Sequence, residues 1–101
     1  MTSSNGKAQL DMSITKHRLF VEGAMGSKHV MAIPGIDDEA AKHLASNGII
    51  FAYQLYGHFL IRFPDNHKFQ TWLFGVAGRK LRMNELQDCC TALQDWKAYW
   101  Q

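Results

Sequence analysis

Residues 33–48 read IPGIDDEAAKHLASNG, and this stretch decides the fold of the chain. Gly35 stands in a tight turn, where the absence of a Cβ lets another group approach the backbone closely. A helix follows the turn, because Ile36, Ala40 and Leu44 recur at the i, i+4, i+8 spacing that places them on one helix face.

Both ends of this helix carry local signals. Asp37 is suited to the N-cap, and Asn47-Gly48 supplies a left-handed stop. A glycine turn that opens a helix is typical of the second half of a helix-hairpin-helix, and a short helical turn near residues 29–33 would complete the first half. The first N–H groups of a helix are unpaired and can face a phosphate. The pattern from about residue 28 to 48 therefore predicts a site that binds the phosphate backbone of duplex DNA.

The rest of the chain predicts four further helices and no strand, because no segment alternates with period two. The first is expected from Ser13 or Thr15 to about Glu22, and the second begins near Phe51. The third runs from a cap at Asp65 or Asn66 to a break at Gly75 and Gly78, and the last begins at about Asn84. Residues 1–12 are polar without a hydrophobic period, which predicts a flexible tail before one domain at residues 13–101.

Length and composition restrict the class of protein. With 101 residues, of which 47% are hydrophobic and 12% aromatic, the chain suits a single compact all-α domain. A domain of this size often gains stability by oligomerising, and the aromatic content favours an interface. The net charge of +2 neither excludes nor favours a nucleic acid as partner, so local clusters of charge must decide.

Motifs for catalysis or metal binding are missing from the sequence. The five His form no i, i+4 pair, and Cys89-Cys90 lacks the spacing of a zinc site, so we expect free thiols and no metal. There is no P-loop, nucleophile elbow or dinucleotide fingerprint, and we expect neither a cofactor nor an enzyme. With no apolar stretch near 18 residues and no secretory signal, an intracellular protein without membrane insertion is expected.

The helix that begins near Phe51 is apolar over more than half of its circumference. One stripe comprises Phe51, Leu55 and Phe59, and the other comprises Ala52, Tyr56, Leu60 and Phe63. One-sided packing cannot use both stripes, so this helix is either central in the domain or meets another subunit. Gly57, at its middle, would let two helices approach closely.

Further anchors continue along the chain: KHR-x-F-V from Lys16, M-G-x-K from Met25, A-Y-x-x-x-G-x-F-L from Ala52, and helices that carry Trp72 and Trp96. In order and spacing, from about Thr15 to the C-terminus, this pattern resembles the barrier-to-autointegration factor family. These are small dimeric proteins that bind double-stranded DNA without sequence preference in metazoan nuclei. The resemblance implies a five-helix, SAM-like fold with one helix-hairpin-helix per subunit of a homodimer.

The resemblance also implies site residues and partners. The DNA contacts would be Lys16, Gly35, Ile36, Asp37, Glu39, Ala40, Lys80 and Arg82. The dimer interface would contain Tyr53, Tyr56, Gly57, Leu60 and Trp72. Two DNA sites on one dimer would bridge two duplexes. The family further implies binding to LEM-domain proteins of the inner nuclear envelope and to lamins, a nuclear and also cytoplasmic location, and phosphorylation at Ser13 or Thr15, where added charge would repel DNA.

Departures from the family pattern leave a second function open. The family turn is Gly-Ile-Gly, whereas Gly35-Ile36 is followed here by the acidic run 37–39, which opposes a phosphate at the helix start. Phe63-Pro64 and Lys68 replace residues that line the family's LEM-binding groove. The alternative is an interaction protein with weakened DNA binding that heterodimerises with a DNA-binding relative and modulates it. We expect Gly35→Glu to abolish DNA binding while the helical circular dichroism spectrum stays intact.

Overall fold

Five α-helices and one 3-10 helix make up the part of the chain that the structure, a computed structural model, describes: residues 12–101, with side chains from Lys16 onward. They are α1 (Met12–Val21), the 3-10 helix (Val30–Ala32), α2 (Asp38–Ser46), α3 (Ala52–Arg62), α4 (Asn66–Val76) and α5 (Met83–Trp100). The predicted all-α, five-helix fold is confirmed. Of the predicted tail only Met12 is described, and it begins α1.

Helix ends follow the local signals in the sequence. The carboxylate of Asp37 accepts a hydrogen bond from Ala40 N at 2.8 Å, and α2 ends before Gly48, whose φ is +79°. The carboxylate of Asp65 caps α4 in the same way. The prediction that Gly75 breaks α4 is wrong. A helix tolerates an interior glycine at a cost of about 1 kcal/mol, and α4 ends instead where Gly78 adopts a left-handed φ of +88°.

Helix α5 is the central element of the core, and α1, α3 and α4 pack against it. Its buried face contains Leu86, Cys89, Cys90, Leu93 and Trp96, as the helical spacing predicts. Trp100 continues this helical spacing but is 45% exposed because it lies at the helix end. Its indole N–H donates to the carbonyl of Val21 at 2.8 Å, and that of Trp96 donates to Gly23 at 2.9 Å. These two hydrogen bonds therefore hold the C-terminal end of α1 against the C-terminal end of α5.

A single antiparallel bridge between His29 and Phe51 positions the hairpin. Val30 N donates to the carbonyl of Ile50 at 2.9 Å, and Ala52 N donates to that of Lys28 at 2.8 Å. These bonds hold the 3-10 helix, which forms the short first half of the hairpin, against the start of α3. Within residues 12–101, no helix is both long and apolar enough to cross a membrane.

Candidate nucleic-acid interface

The hairpin turn is anchored on both sides in the core. Ile33 and Ile36 are buried, and Ile36 N donates to the carbonyl of Ile33 at 3.1 Å. Between them Gly35 has a φ of +90°, and a Cβ built on it would overlap the carbonyl oxygen of Glu85 and come within 3.2 Å of Cys89 N. Gly35 is therefore required by contact with the backbone of α5, in addition to any role toward a ligand.

This contact corrects the expectation for Gly35→Glu. A side chain at this position cannot point to solvent without displacing the turn from α5, because the neighbouring atoms belong to the backbone within a helix. The substitution should disturb the fold as well as the surface. An unchanged circular dichroism spectrum is therefore not expected, and loss of binding in this variant would not identify a DNA contact.

The start of α2 is acidic, and each carboxylate has a partner within the chain. Asp37 accepts the N–H of Ala40, one of the donors that a phosphate would use. Asp38 lies 3.5 Å from Lys42 in the next turn, and Glu39 lies 3.0 Å from Lys80. Ala40 has a buried side chain, so only its backbone belongs to this site. The predicted N-cap role of Asp37 is confirmed.

The loop between α4 and α5 lies directly beside α2. Gly78 leaves no room for a Cβ against the ring of His43, and the side-chain amide of Asn47 donates to the carbonyl of Val76 at 3.5 Å. From this loop Lys80 reaches Glu39. The hydrogen bond from Lys80 and its positive charge together lower the pKa of the Glu39 carboxyl below its ordinary value. The loop and the first turn of α2 thus form one charged surface.

Three loop cations contribute to this surface: Arg79, Lys80 and Arg82, all exposed. Within the described residues Lys80 is paired with a carboxylate, whereas Arg79 and Arg82 form no ion pair. Arg82 is the N-cap residue of α5, and its backbone N–H donates to the Glu85 carboxylate at 2.8 Å. Because the carbonyl of Glu85 faces Gly35, the starts of α2 and α5 and the hairpin turn adjoin one another.

Lys16 lies apart from this cluster. It is exposed on α1, whose His17 bonds the carboxylate of Asp95 at 2.9 Å in the C-terminal half of α5. From Glu85 to Asp95 the axis of α5 advances about 15 Å, at 1.5 Å per residue. Ser13 and Thr15 belong to the first turn of α1, but their side chains are outside the described ones, and their phosphorylation stays a prediction.

Two residues of the cluster were missed by the sequence analysis. His43 supports the loop at Gly78, and Glu85 both caps α5 and faces Gly35. A local signal existed for His43, which lies one turn after Glu39 and therefore on the same face of α2. Glu85 stands in the capping position of α5, but its proximity to the turn depends on tertiary packing alone.

The predicted dimer residues divide between the surface and the core. Helix α3 buries Ala52, Leu55, Tyr56 and Phe59, so the core takes members of both predicted stripes. Tyr56 is 7% exposed and donates its hydroxyl to the Gln101 side chain at 2.7 Å, which places its ring inside the subunit and not on a free face. Burial also raises the pKa of Tyr56.

The exposed stripe of α3 carries the remaining dimer candidates. Tyr53 is 50% exposed, Leu60 38% and Ile61 75%, and Gly57 lies between them with open space where a Cβ would be. An open groove of about 320 Å³ runs beside this stripe and is lined in part by Gly57 and Ile61. Of the predicted set, Tyr53, Gly57 and Leu60 therefore share one accessible apolar face.

Trp72 lies beside that face in a stack of rings. His58 stacks on Trp72 with ring centroids 4.5 Å apart, and the guanidinium of Arg62 lies 4.3 Å from the centroid of the Trp72 ring. The Nδ1 atom of His58 is buried without a hydrogen-bond partner in the described part of the chain. This burial lowers the pKa of His58, and the charge of Arg62 lowers it further.

Comparison with known proteins identifies the family of this chain. The sequence profile of the family described as "Barrier to autointegration factor" matches residues 11–100. The chain is 36% identical over 81 residues to the barrier-to-autointegration factor of Danio rerio, which covers 80% of this chain and 88% of the relative. The human protein of that name is 35% identical over 81 residues, covering 80% and 89%, and that of Drosophila melanogaster is 32% identical over 81 residues, covering 80% and 88%. This chain belongs to the barrier-to-autointegration factor family.

Proposed function

We propose that this family member binds double-stranded DNA without sequence preference and bridges duplexes as a small nuclear dimer. The observation that carries the proposal is the contact between the basic loop, residues 77–82 between α4 and α5, and the hairpin. Gly78 of the loop packs against the ring of His43, and Lys80 forms an ion pair with Glu39. Backbone N–H groups and cations of this kind contact phosphates, which fix the position of a protein on a duplex without reading its sequence.

The proposed contacts are the backbone N–H groups of Gly35 and of Asp38 and Glu39 at the start of α2, with Lys80 and Arg82 as the main cations. The N–H groups of Ile36 and Ala40 already donate within the chain, so these two residues contribute by shaping the turn. Lys16 on α1, which lies apart from this cluster, would meet the DNA backbone at a separate point along the duplex. Because each cation on a phosphate releases a counterion, binding should weaken steeply as salt is added.

Bridging requires two such surfaces in one particle. The exposed stripe Tyr53, Leu60 and Ile61 supplies an apolar face, and Gly57 allows a second helix to approach. A two-fold pair joined through this face would carry two DNA sites and could hold two duplexes. We place the dimer on chromatin in the nucleus, with LEM-domain proteins and lamins as proposed partners at the nuclear envelope.

The test of DNA binding is a titration of a fluorescent random-sequence duplex at several salt concentrations. Arg82→Gln removes one cation of the surface and should reduce the slope of log affinity against log salt by about 0.9. Lys68→Gln, a cation at the opposite end of α4, is the matched control and should leave the slope unchanged. Equal slopes for the two variants would remove the loop from the DNA site, and no binding of the wild-type protein at low salt would refute the proposed function.

Bridging is tested by energy transfer between two differently labelled duplexes. Leu60→Glu places a charge on the exposed stripe of α3 and should give a monomer that binds a single duplex without bringing two together. Leu19→Glu makes the same change at a 69% exposed position on α1 and should remain a bridging dimer. Bridging by a monomeric Leu60→Glu variant would contradict the dimer mechanism.

A second function is favoured by the partners of the acidic run at the start of α2. Since Asp37 occupies the Ala40 N–H and Glu39 occupies Lys80, groups that would hold phosphate are engaged within the chain. On this view the protein has weakened DNA affinity and forms heterodimers with a DNA-binding relative. Light scattering of a mixture with such a relative should reveal a heterodimer that bridges DNA less well than the relative alone, and an unmixed pair of homodimers would refute this view.

A further inference from the structure

The ion pair between Glu39 and Lys80 joins the two elements of the proposed DNA site. The Lys80 ammonium lies 3.0 Å from the Glu39 carboxylate, across 41 positions of sequence. Glu39 stands in the first turn of α2, where the unpaired N–H groups of the helix favour negative charge. A carboxylate at this place, on a cation of the neighbouring loop, has the charge and the surroundings that a bound phosphate would have.

The two neighbouring carboxylates, unlike that of Glu39, interact with groups of α2 itself. Asp38 pairs with Lys42 of its own helix at 3.5 Å, and Asp37 caps the Ala40 N–H. Only the Glu39 pair, among the described ion pairs of α2, holds a cation of the basic loop. Removal of the Glu39 charge therefore frees a loop cation, whereas removal of the Asp38 charge does not.

We propose that Glu39 is an internal competitor for phosphate and sets the DNA affinity of this chain. Binding a duplex then requires Lys80 to exchange the Glu39 carboxylate for a phosphate oxygen. The pair is solvent-exposed, with side chains 57% and 64% accessible, and exposed pairs are weak, so a polyanion can displace it. This inference rests on the proposed DNA binding and names what limits it.

Glu39→Gln is the decisive variant, because it keeps the length and hydrogen-bonding capacity of the side chain while removing its charge. We expect it to bind the random-sequence duplex about fivefold more tightly than the wild-type protein at low salt, the upper range for loss of one exposed pair. Asp38→Asn, the matched control, removes the same charge one residue away and should change the affinity less. In a Lys80→Gln background, Glu39→Gln should give no more gain than Asp38→Asn.

The outcomes separate the inference from the proposed function. Equal gains from Glu39→Gln and Asp38→Asn, or a full gain without Lys80, would show a general charge effect and overturn the inference, while wild-type binding would leave the proposed function intact. If the wild-type protein does not bind and Glu39→Gln does, the inference stands and DNA binding by the unmodified chain is refuted. If neither the wild-type protein nor Glu39→Gln binds the duplex at low salt, both the inference and the proposed function are refuted. Thermal unfolding of each variant checks that the fold is unchanged, as expected for exposed side chains.

Discussion

Replacement of Gly35 by alanine tests the packing on which the hairpin depends. Gly35 has a φ of +90°, and an added Cβ would overlap the Glu85 carbonyl oxygen and lie 3.2 Å from Cys89 N. Both atoms belong to the backbone within α5, so neither can move aside as the end of a flexible side chain would. Gly48 is a matched control, because its φ is +79° but nothing lies within 4 Å of a Cβ built there.

The expected magnitudes follow from these two environments. A left-handed conformation costs an alanine about 1 kcal/mol, and this cost applies to Gly35→Ala and Gly48→Ala alike. Overpacking against fixed backbone adds about 2 kcal/mol to the free-energy cost for Gly35→Ala alone. Since 1 kcal/mol shifts the melting temperature of a domain of this size by about 4–8 °C, Gly48→Ala should lower Tm by roughly that amount. Gly35→Ala should lower it about 8–16 °C further.

The assay is thermal and urea unfolding of both variants, followed by circular dichroism at equal protein concentration. If Gly35→Ala and Gly48→Ala lose the same stability, α5 does not press on the turn, and our account of Gly35 is wrong. A much lower Tm for Gly35→Ala would also show that substitutions at this glycine cannot separate DNA contact from folding.

Three further predictions concern the ring stack, the core thiols and the α3 face. Because the folded pKa of His58 lies below its unfolded value near 6.5, its contribution to stability is present above that pH and is lost as the pH falls. The free energy of unfolding by urea should therefore fall less from neutral to acidic pH in His58→Gln than in the wild type. An equal fall in the two proteins would contradict this prediction. Burial raises the pKa of the Cys89 thiol, so iodoacetamide should modify it in the unfolded chain and not in the folded one, as read by mass spectrometry; labelling of Cys89 at equal rates in both states would refute its burial. Gly57→Ala and Gly75→Ala both add a methyl group in open space on a helix, and each should stabilise its helix by about 1 kcal/mol. Only Gly57→Ala should weaken the dimer in sedimentation experiments, and an unchanged dimer would exclude close approach of two helices at Gly57.

The sequence predicted the elements that local interactions form. The cap at Asp37, the left-handed stop at Gly48 and the apolar face of α5 depend on groups within a few positions of one another, so their spacing is visible in the chain. The prediction that Gly75 breaks α4 was wrong because an interior glycine has only a small local cost in helix stability, and the tertiary packing of α4 overrides that cost.

Contacts between distant segments could not be read from spacing. The sequence showed that α3 has too many apolar positions for one face, but only packing against α5 and α4 decided that Tyr56 enters the core while Tyr53 and Leu60 remain exposed. The likeness to the family indicated which residues form the candidate site, yet it did not indicate that Glu39 engages Lys80.

By itself, then, the sequence determined the helices, the capped starts of α2 and α4, the end of α2 and the family of this protein, because helix capping and 3.6-residue periodicity are local. Only the tertiary structure decided that Gly35 is held against the backbone of α5, and that a loop cation lies on the acidic start of α2. The physical reason is that steric exclusion and charge pairing act through space, and the residues involved lie far apart along the chain.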